Sequence, residues 1–451
     1  MLPASTDPYW LQIAGTNDKS IVKNEFNLNL CLITLLFDGK SMAHMLESLK
    51  IYLNLSLLLS ILLIAWYAGM SSSLAASSGP ALALVKTNQQ TLFHWPTTAT
   101  NYVLQSNPDL ASTNWAFTTD AVPVIYGSEI AMTVSNHVAA ARYFRLIQVP
   151  ATTSDGMALI PAGPFIMGDA LDGERDASPT NTVILSPFYM DTNMVRVDQW
   201  QTTYAYATSH GYIFANSGYD KGPNYPVGDV DWYDCVKWCN ARSQSAGLNP
   251  VYFVDAALTQ IYTNGDTGTT VYANWADNGY RLPTEAEWEK AARGGLTAQR
   301  FPYGNTLSWA LANYEGNFFE FSYDQSTIID WDPAYSDGDN PASKPYTSPV
   351  GSFTPNGFGL YDMAGNLYEW CWDWYASTNS MYPANLPGSP YLGGSDPRGP
   401  AFSTLSPATR VLRGGAWSNV ASSARCAARA SDNPAVPANS IIYGFRCVRR
   451  I

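Results

Sequence analysis

The residues best suited to chemistry lie between Asn356 and Tyr375, in NGFGLYDMAGNLYEWCWDWY, where Asp362 and Glu369 sit among Gly357, Gly359 and Gly365. Glycines let a backbone turn tightly. Carboxylates among such turns and open carbonyls are the donors that a hard cation such as calcium takes, in a flexible shell of about six to eight oxygens. The same two acids would equally serve to cap turns. After the turns, Tyr368, Trp370, Trp372 and Trp374 alternate with other residues, so a strand there has one wholly aromatic side.

The elements that would position this segment are written in further blocks. In RLPTEAEWEKAARGG, Thr284 followed by Glu287 is a capping box, and Trp288, Ala291 and Ala292 continue at helical spacing. MALIPAGPFIMGD from Met157 and WYDCVKWCNARS from Trp232 precede it; RVLRGGAWSN from Arg410 and YGFRCVRR from Tyr443 follow. Together and in this order, over about residues 155–450, these blocks resemble the sulfatase-modifying-factor family, whose founding member is the formylglycine-generating enzyme. The resemblance implies an irregular α+β domain of the C-type-lectin-like kind, with little regular secondary structure, held by calcium and aromatic packing. Composition agrees: 15 Trp and 28 Tyr in 451 residues supply large buried areas, and 29 Pro with 33 Gly punctuate many loops.

Function must be carried over residue by residue. The family's enzyme binds copper through two cysteines shortly after its RGGS motif, because paired thiolates select Cu(I). The matching positions here are Asn419 and Ala424, neither of which can be a thiolate; the family serine is Ala416, and the histidine after the first cysteine is Val420. Cys426 matches a different, structural cysteine. The resemblance therefore carries no catalytic residue and no copper onto this chain. An iron-dependent branch of the family holds its metal with histidines, but of His44, His94, His137 and His210 only the last falls within the family-like region, so iron is not expected.

Calcium fares better under the same resemblance. One site would use Asp362, Glu369 and the carbonyls of Gly365 and Leu367. A second would use Asn313, the carbonyl of Tyr314 and an aspartate of IDWDPAYSDGD, with Asp332 chosen and Asp330 and Asp337 as alternatives. Family positions also pair Cys239 with Cys447; Cys426 loses its family partner to Ala292, leaving Cys371 as its expected mate and Cys235 as a free thiol. The functional expectation is a secreted, calcium-stabilised binding or scaffold protein. Its peptide, protein or glycan partner would enter an aromatic groove near Trp417 and Trp370, with Arg413 and Arg429 as further lining candidates. The alternative is an oxidoreductase or other protein-modifying enzyme with a rearranged site, recruiting Cys235, Cys371 or Cys426.

Residues 1–76 read as an extension and signal peptide: Lys50, an apolar run from Ile51 to Ala65, and an A-x-A-like end near Leu74 to Ala76, with Met42 and Met45 as alternative starts. Export to the periplasm, cell surface or medium follows, with no span kept after cleavage. Residues 77–150 hold short alternating segments expected to form a small antiparallel sandwich-like module, residues 151–156 a linker, and residues 157–451 the family-like domain. A formal charge of −12 argues against nucleic acid as a partner.

Overall fold

The computed structural model describes residues 11–13, 80, 82–86, 90–96, 98–99, 101–107, 116–117, 124–126, 129–135, 142–148, 151–172, 177–336, 345–376, 386–435 and 441–451. The apolar run from Ile51 to Ala65 and Asp337 lie outside the described residues. Among those described, no helix is long and apolar enough to cross a membrane.

Two antiparallel four-stranded sheets come first. One orders its strands Ala83–Lys86, Gln90–Pro96, Glu129–Ser135, Val124–Tyr126; the other Leu11–Ile13, Arg142–Gln148, Tyr102–Asn107, Ala116–Phe117. The alternation in QTLFHWP buries Thr91, Phe93 and Trp95 on one face, and Phe93 meets Phe144 of the other sheet at 4.5 Å between ring centroids. Leu104, Ile130 and Met132 complete their shared apolar cluster. These sheets are not tethered by a free linker. Leu159 donates to the carbonyl of Ala151 at 2.8 Å, and Val103 and Ile147 join the main core around Leu159 and Tyr189. Residues 11–13 and 82–451 accordingly form one compact unit.

Past residue 156, short strands dominate, with three α-helices among the described residues. A central sheet orders β3 (Tyr280–Arg281), β8 (Val448–Arg450), β2 (Phe188–Asp191) and β1 (Met157–Ile160), all antiparallel. A second orders β6 (Ala430–Asp432), β5 (Arg410–Arg413), β4 (Tyr368–Trp374) and β7 (Tyr443–Gly444), so the aromatic strand β4 is interior and paired on both edges. Helices α1 (Val197–Ser209) and α2 (Trp232–Ser245) pack together through Trp200 and Trp238, whose rings stack 5.9 Å apart with planes 2° from parallel. Each indole buried in this way contributes about 4–6 kcal/mol of apolar transfer free energy before its entropy cost. Such packing is what holds a chain this rich in loops.

The third helix, α3 (Glu285–Arg293), is buried along its whole length. Its capping box forms as the sequence implies: Thr284 Oγ1 accepts from the Glu287 amide at 3.2 Å, and Glu287 accepts in return from the Thr284 amide at 2.8 Å. Gly294, in the left-handed region at φ 56°, ends it.

Candidate functional site

Strand β4 runs over the alternating aromatic residues expected of it. Its alternation is real, but Glu369, Cys371 and Asp373 are at 0–1% exposure, while Tyr368, Trp372 and Trp374 on the other side are only half-buried. The acidic side faces inward, where α3 brings the Trp288 indole and the C-terminal segment brings the Arg446 guanidinium to Glu369. Arg446 grips both oxygens of Glu369, Nε to Oε2 at 2.7 Å and Nη2 to Oε1 at 2.8 Å, and Trp288 Nε1 donates to Oε2 at 3.0 Å. The same guanidinium donates to the carbonyls of Tyr361, at 2.9 Å, and Asp191, at 3.2 Å, so one arginine ties the loop to two strands.

The glycine-rich loop before β4 is fixed by backbone contacts with the other predicted segments. Gly365 sits at φ 76°, and a Cβ there would run into the Asn313 carbonyl. That carbonyl accepts from the Asn366 amide at 2.8 Å, Gly365 donates to Gly414 at 2.8 Å, and Trp417 donates to Asn366 at 2.9 Å. Glu315 donates to the Asn419 carbonyl at 3.0 Å. Thus the structure brings together Asn313, the 362–369 loop and RGGAW. Asp332 Oδ1 accepts from Ala334 at 2.9 Å, and its charge acts on the hydroxyl of Tyr314, next to Asn313.

Calcium can be tested against this donor set. Asp362 Oδ2 accepts from Gly351 at 2.8 Å, but its buried Oδ1 has no hydrogen-bond partner among the described residues, and the same holds for Asn313 Oδ1 and Asp332 Oδ2. Burial pushes the Asp362 carboxyl up to about 6. Orphaned buried oxygens are costly and are what a missing oxygen-loving cation would satisfy. Glu369 does not fit as simply, since Arg446 already balances its charge. Leu367 is buried against Met194, Tyr346 and Trp417.

Another acidic group carries no site. Asp231, Asp234 and Asp266 are the only metal-sized cluster of such side chains among the described residues, and Lys237 Nζ lies 2.8 Å from Asp266 and 3.3 Å from Asp234. A buried ammonium plays the cation there.

The groove expectation is corrected. Trp417 and Trp370 are 3% and 0% exposed; Trp370 Nε1 is spent on the Val230 carbonyl at 3.1 Å, and Trp417 packs edge-on against Tyr346. Arg413 pairs with Glu289 and Arg429 with Glu285, both guanidiniums buried. All four residues hold the interior together, because the acids of α3 would otherwise be buried unpaired.

The five cysteines described are all buried thiols. Cys239 and Cys447, one expected pair, face each other with sulfurs 3.5 Å apart and are not bonded in this structure. Cys371 and Cys426 share one apolar cluster but are not bonded in this structure, contrary to the expected pairing. Burial holds the thiols of Cys235, Cys239 and Cys371 well above the usual range and pushes Cys426 up to about 12. Raised in this way, these four thiols are held in the protonated form, which is the weaker nucleophile. Asn419 Oδ1 accepts from the Ala416 amide at 3.2 Å, and Ala424 is buried beside Ala364 and Tyr314.

Sequence reasoning missed Arg446, the hub of this region. Its signal was present in YGFRCVRR: an arginine between Phe445 and Cys447, both wholly buried, has to find a buried acid.

An α+β unit of short strands around a buried charged helix, with this ordered set of motifs, defines a protein class. Residues 144–451 match the sulfatase-modifying factor enzyme 1-like domain, and the chain belongs to that family. It is 32% identical over 320 residues to a formylglycine-generating enzyme of Thermomonospora curvata, covering 66% of this chain and 94% of that one. It is also 34% identical to serine/threonine-protein kinase pkn1 of Chlamydia pneumoniae, over 65% of this chain, and 35% identical to chaperone protein LppX of Paenibacillus barcinonensis, over 50%. The chain spans 38% of the length of that chlamydial protein and 74% of the Paenibacillus one. Among solved structures, Treponema denticola variable protein 1 aligns over 67% of this chain and 100% of its own, with 27% identity and a TM-score of 0.48.

Proposed function

We propose that this chain is an exported member of the family that keeps a C-type-lectin-like fold and calcium but not copper-dependent oxidation, and acts as a binding or scaffold protein for a peptide, protein or glycan. In this reading the first two sheets form a sandwich-like module beside the main domain. The observation that carries it is the pair Asn419 and Ala424: an amide and a methyl stand where two thiolates are needed, and the four cysteines whose thiols burial raises are protonated as well as enclosed. The unpartnered oxygens of Asp362 and Asn313 support calcium. Asp362 with the carbonyls of Gly365 and Leu367 would hold one ion, and Asn313 with the Tyr314 carbonyl and Asp332 another. Bound there, calcium supplies charge compensation and rigidity rather than a reacting group.

The alternative, a modifying enzyme with a rearranged site, requires a reactive thiol, and Cys235, Cys371 and Cys426 are each shut off from solvent. The direct test is to supply Cu(I) and oxygen with a cysteine-containing peptide and follow the peptide by mass spectrometry. An unchanged peptide is expected. Turnover to the formylglycine product would overturn the proposal.

A further inference from the structure

A cavity of about 600 Å³ lies between the first two sheets and the main domain, and its lining includes no residue of the 362–369 loop or of the RGGAW segment. Its two ends differ in chemistry. One is walled by Leu104, Ile130 and Met132 together with Trp95, which is 2% exposed and whose indole Nε1 has no hydrogen-bond partner among the described residues.

The other end is cationic. Trp275 carries two guanidiniums on its ring, Arg281 at 5.0 Å and Arg398 at 4.8 Å. Arg281 is neutralised by the two oxygens of Glu287, at 2.6 and 2.7 Å. The acid nearest Arg398 is Asp396, but its carboxylate is taken by the amide and hydroxyl of Ser186, each at 2.7 Å. Arg450 also lines this end, with one long bond, 3.4 Å, to the Ala276 carbonyl. Among the side chains that line this end three arginines face two acids, and Arg398 is a guanidinium without an ion pair. Arg398 has no ion pair or hydrogen bond among the described residues, and desolvation lowers its pKa below the ordinary arginine value, as expected for a cation without a full counter-charge.

We infer that this cavity binds a small amphipathic organic anion, its apolar body against Trp95 and Met132 and its carboxylate or sulfonate head on Arg398. The volume lies within the range of about 300–1,000 Å³ typical of small-molecule sites. A guanidinium held on an aromatic face presents its N–H edge to an anion in fixed geometry. A neutral ligand would leave Arg398 without a counter-charge, and a volume of about 600 Å³ suits a small molecule rather than a polymer. The inference stands whether or not the chain retains oxidative chemistry, since no residue of the 362–369 loop or of RGGAW lines the cavity.

Isothermal titration calorimetry of the full chain with decanoate, decanol and decyltrimethylammonium tests it. Decanoate is expected to bind saturably, at least tenfold more tightly than decanol, and more weakly as salt rises. Arg398→Gln, at an exposed position without an ion pair, should weaken decanoate at least tenfold, and Arg398→Glu should turn the preference toward the ammonium ligand. No saturable heat with decanoate, equal affinity for decanol, or an unchanged affinity in Arg398→Gln would each overturn the inference. A Met132→Ala variant keeps the two ends separable: it should weaken decanoate and decanol alike, and failure to affect either would also count against this cavity.

Discussion

Arg446 shows at the scale of one residue how this family member manages buried charge. Its partner Glu369 is wholly buried, and so is the guanidinium, which makes the pair costly to break though not necessarily costly to replace. Arg446→Met should therefore destabilise the protein by about 3–5 kcal/mol, measured as a loss in urea unfolding free energy, because a carboxylate is stranded. Asp373 presents the opposite case. Burial first, and then the charge of Glu285, push its carboxyl up to about 8. An acid with a raised folded pKa contributes stability that is full below about pH 4 and is lost as pH climbs through about 8. Asp373→Asn keeps an acceptor for the Glu285 amide, now bonded at 2.8 Å, and removes that loss. The stability of the variant relative to wild type should rise from pH 4 to pH 8 in parallel urea titrations; a flat difference would show that Asp373 does not titrate in that window.

Elements were legible in the sequence where local chemistry governs them and obscure where tertiary pairing does. The capping box of Thr284 and Glu287 is a four-residue device, so it could be read directly, and Thr284→Ala should cost about 1 kcal/mol by thermal melting. The alternation of β4 was legible too. Which side of it would be the more enclosed was not, because the answer lies in Arg446, 77 residues along the chain from its partner Glu369. Trp417 and Trp370 misled for the same reason, since aromatic clustering in sequence does not distinguish a groove from a core. Gly365 is the point where backbone and packing agree. A β-carbon would meet both a positive φ and the Asn313 carbonyl, so Gly365→Ala should lose at least about 1–3 kcal/mol.

Over the whole molecule, the motif blocks placed the chain in its family because their order survives changes in the loops between them. They did not reveal that the preceding sheets share a core with the domain, since Val103 and Ile147 look like ordinary strand residues until Leu159 is packed on them. Nor could they reveal the cavity formed at that junction. The claim at the centre of the account is that the fold has kept its calcium while losing copper. Calcium removal by a chelator should lower the melting temperature, and Asp362→Asn should shrink that difference. The most direct test is plasma mass spectrometry of metals in the protein purified from cells supplied with both calcium and copper. Stoichiometric calcium with copper at background is the predicted result; stoichiometric copper held through dialysis would contradict the account.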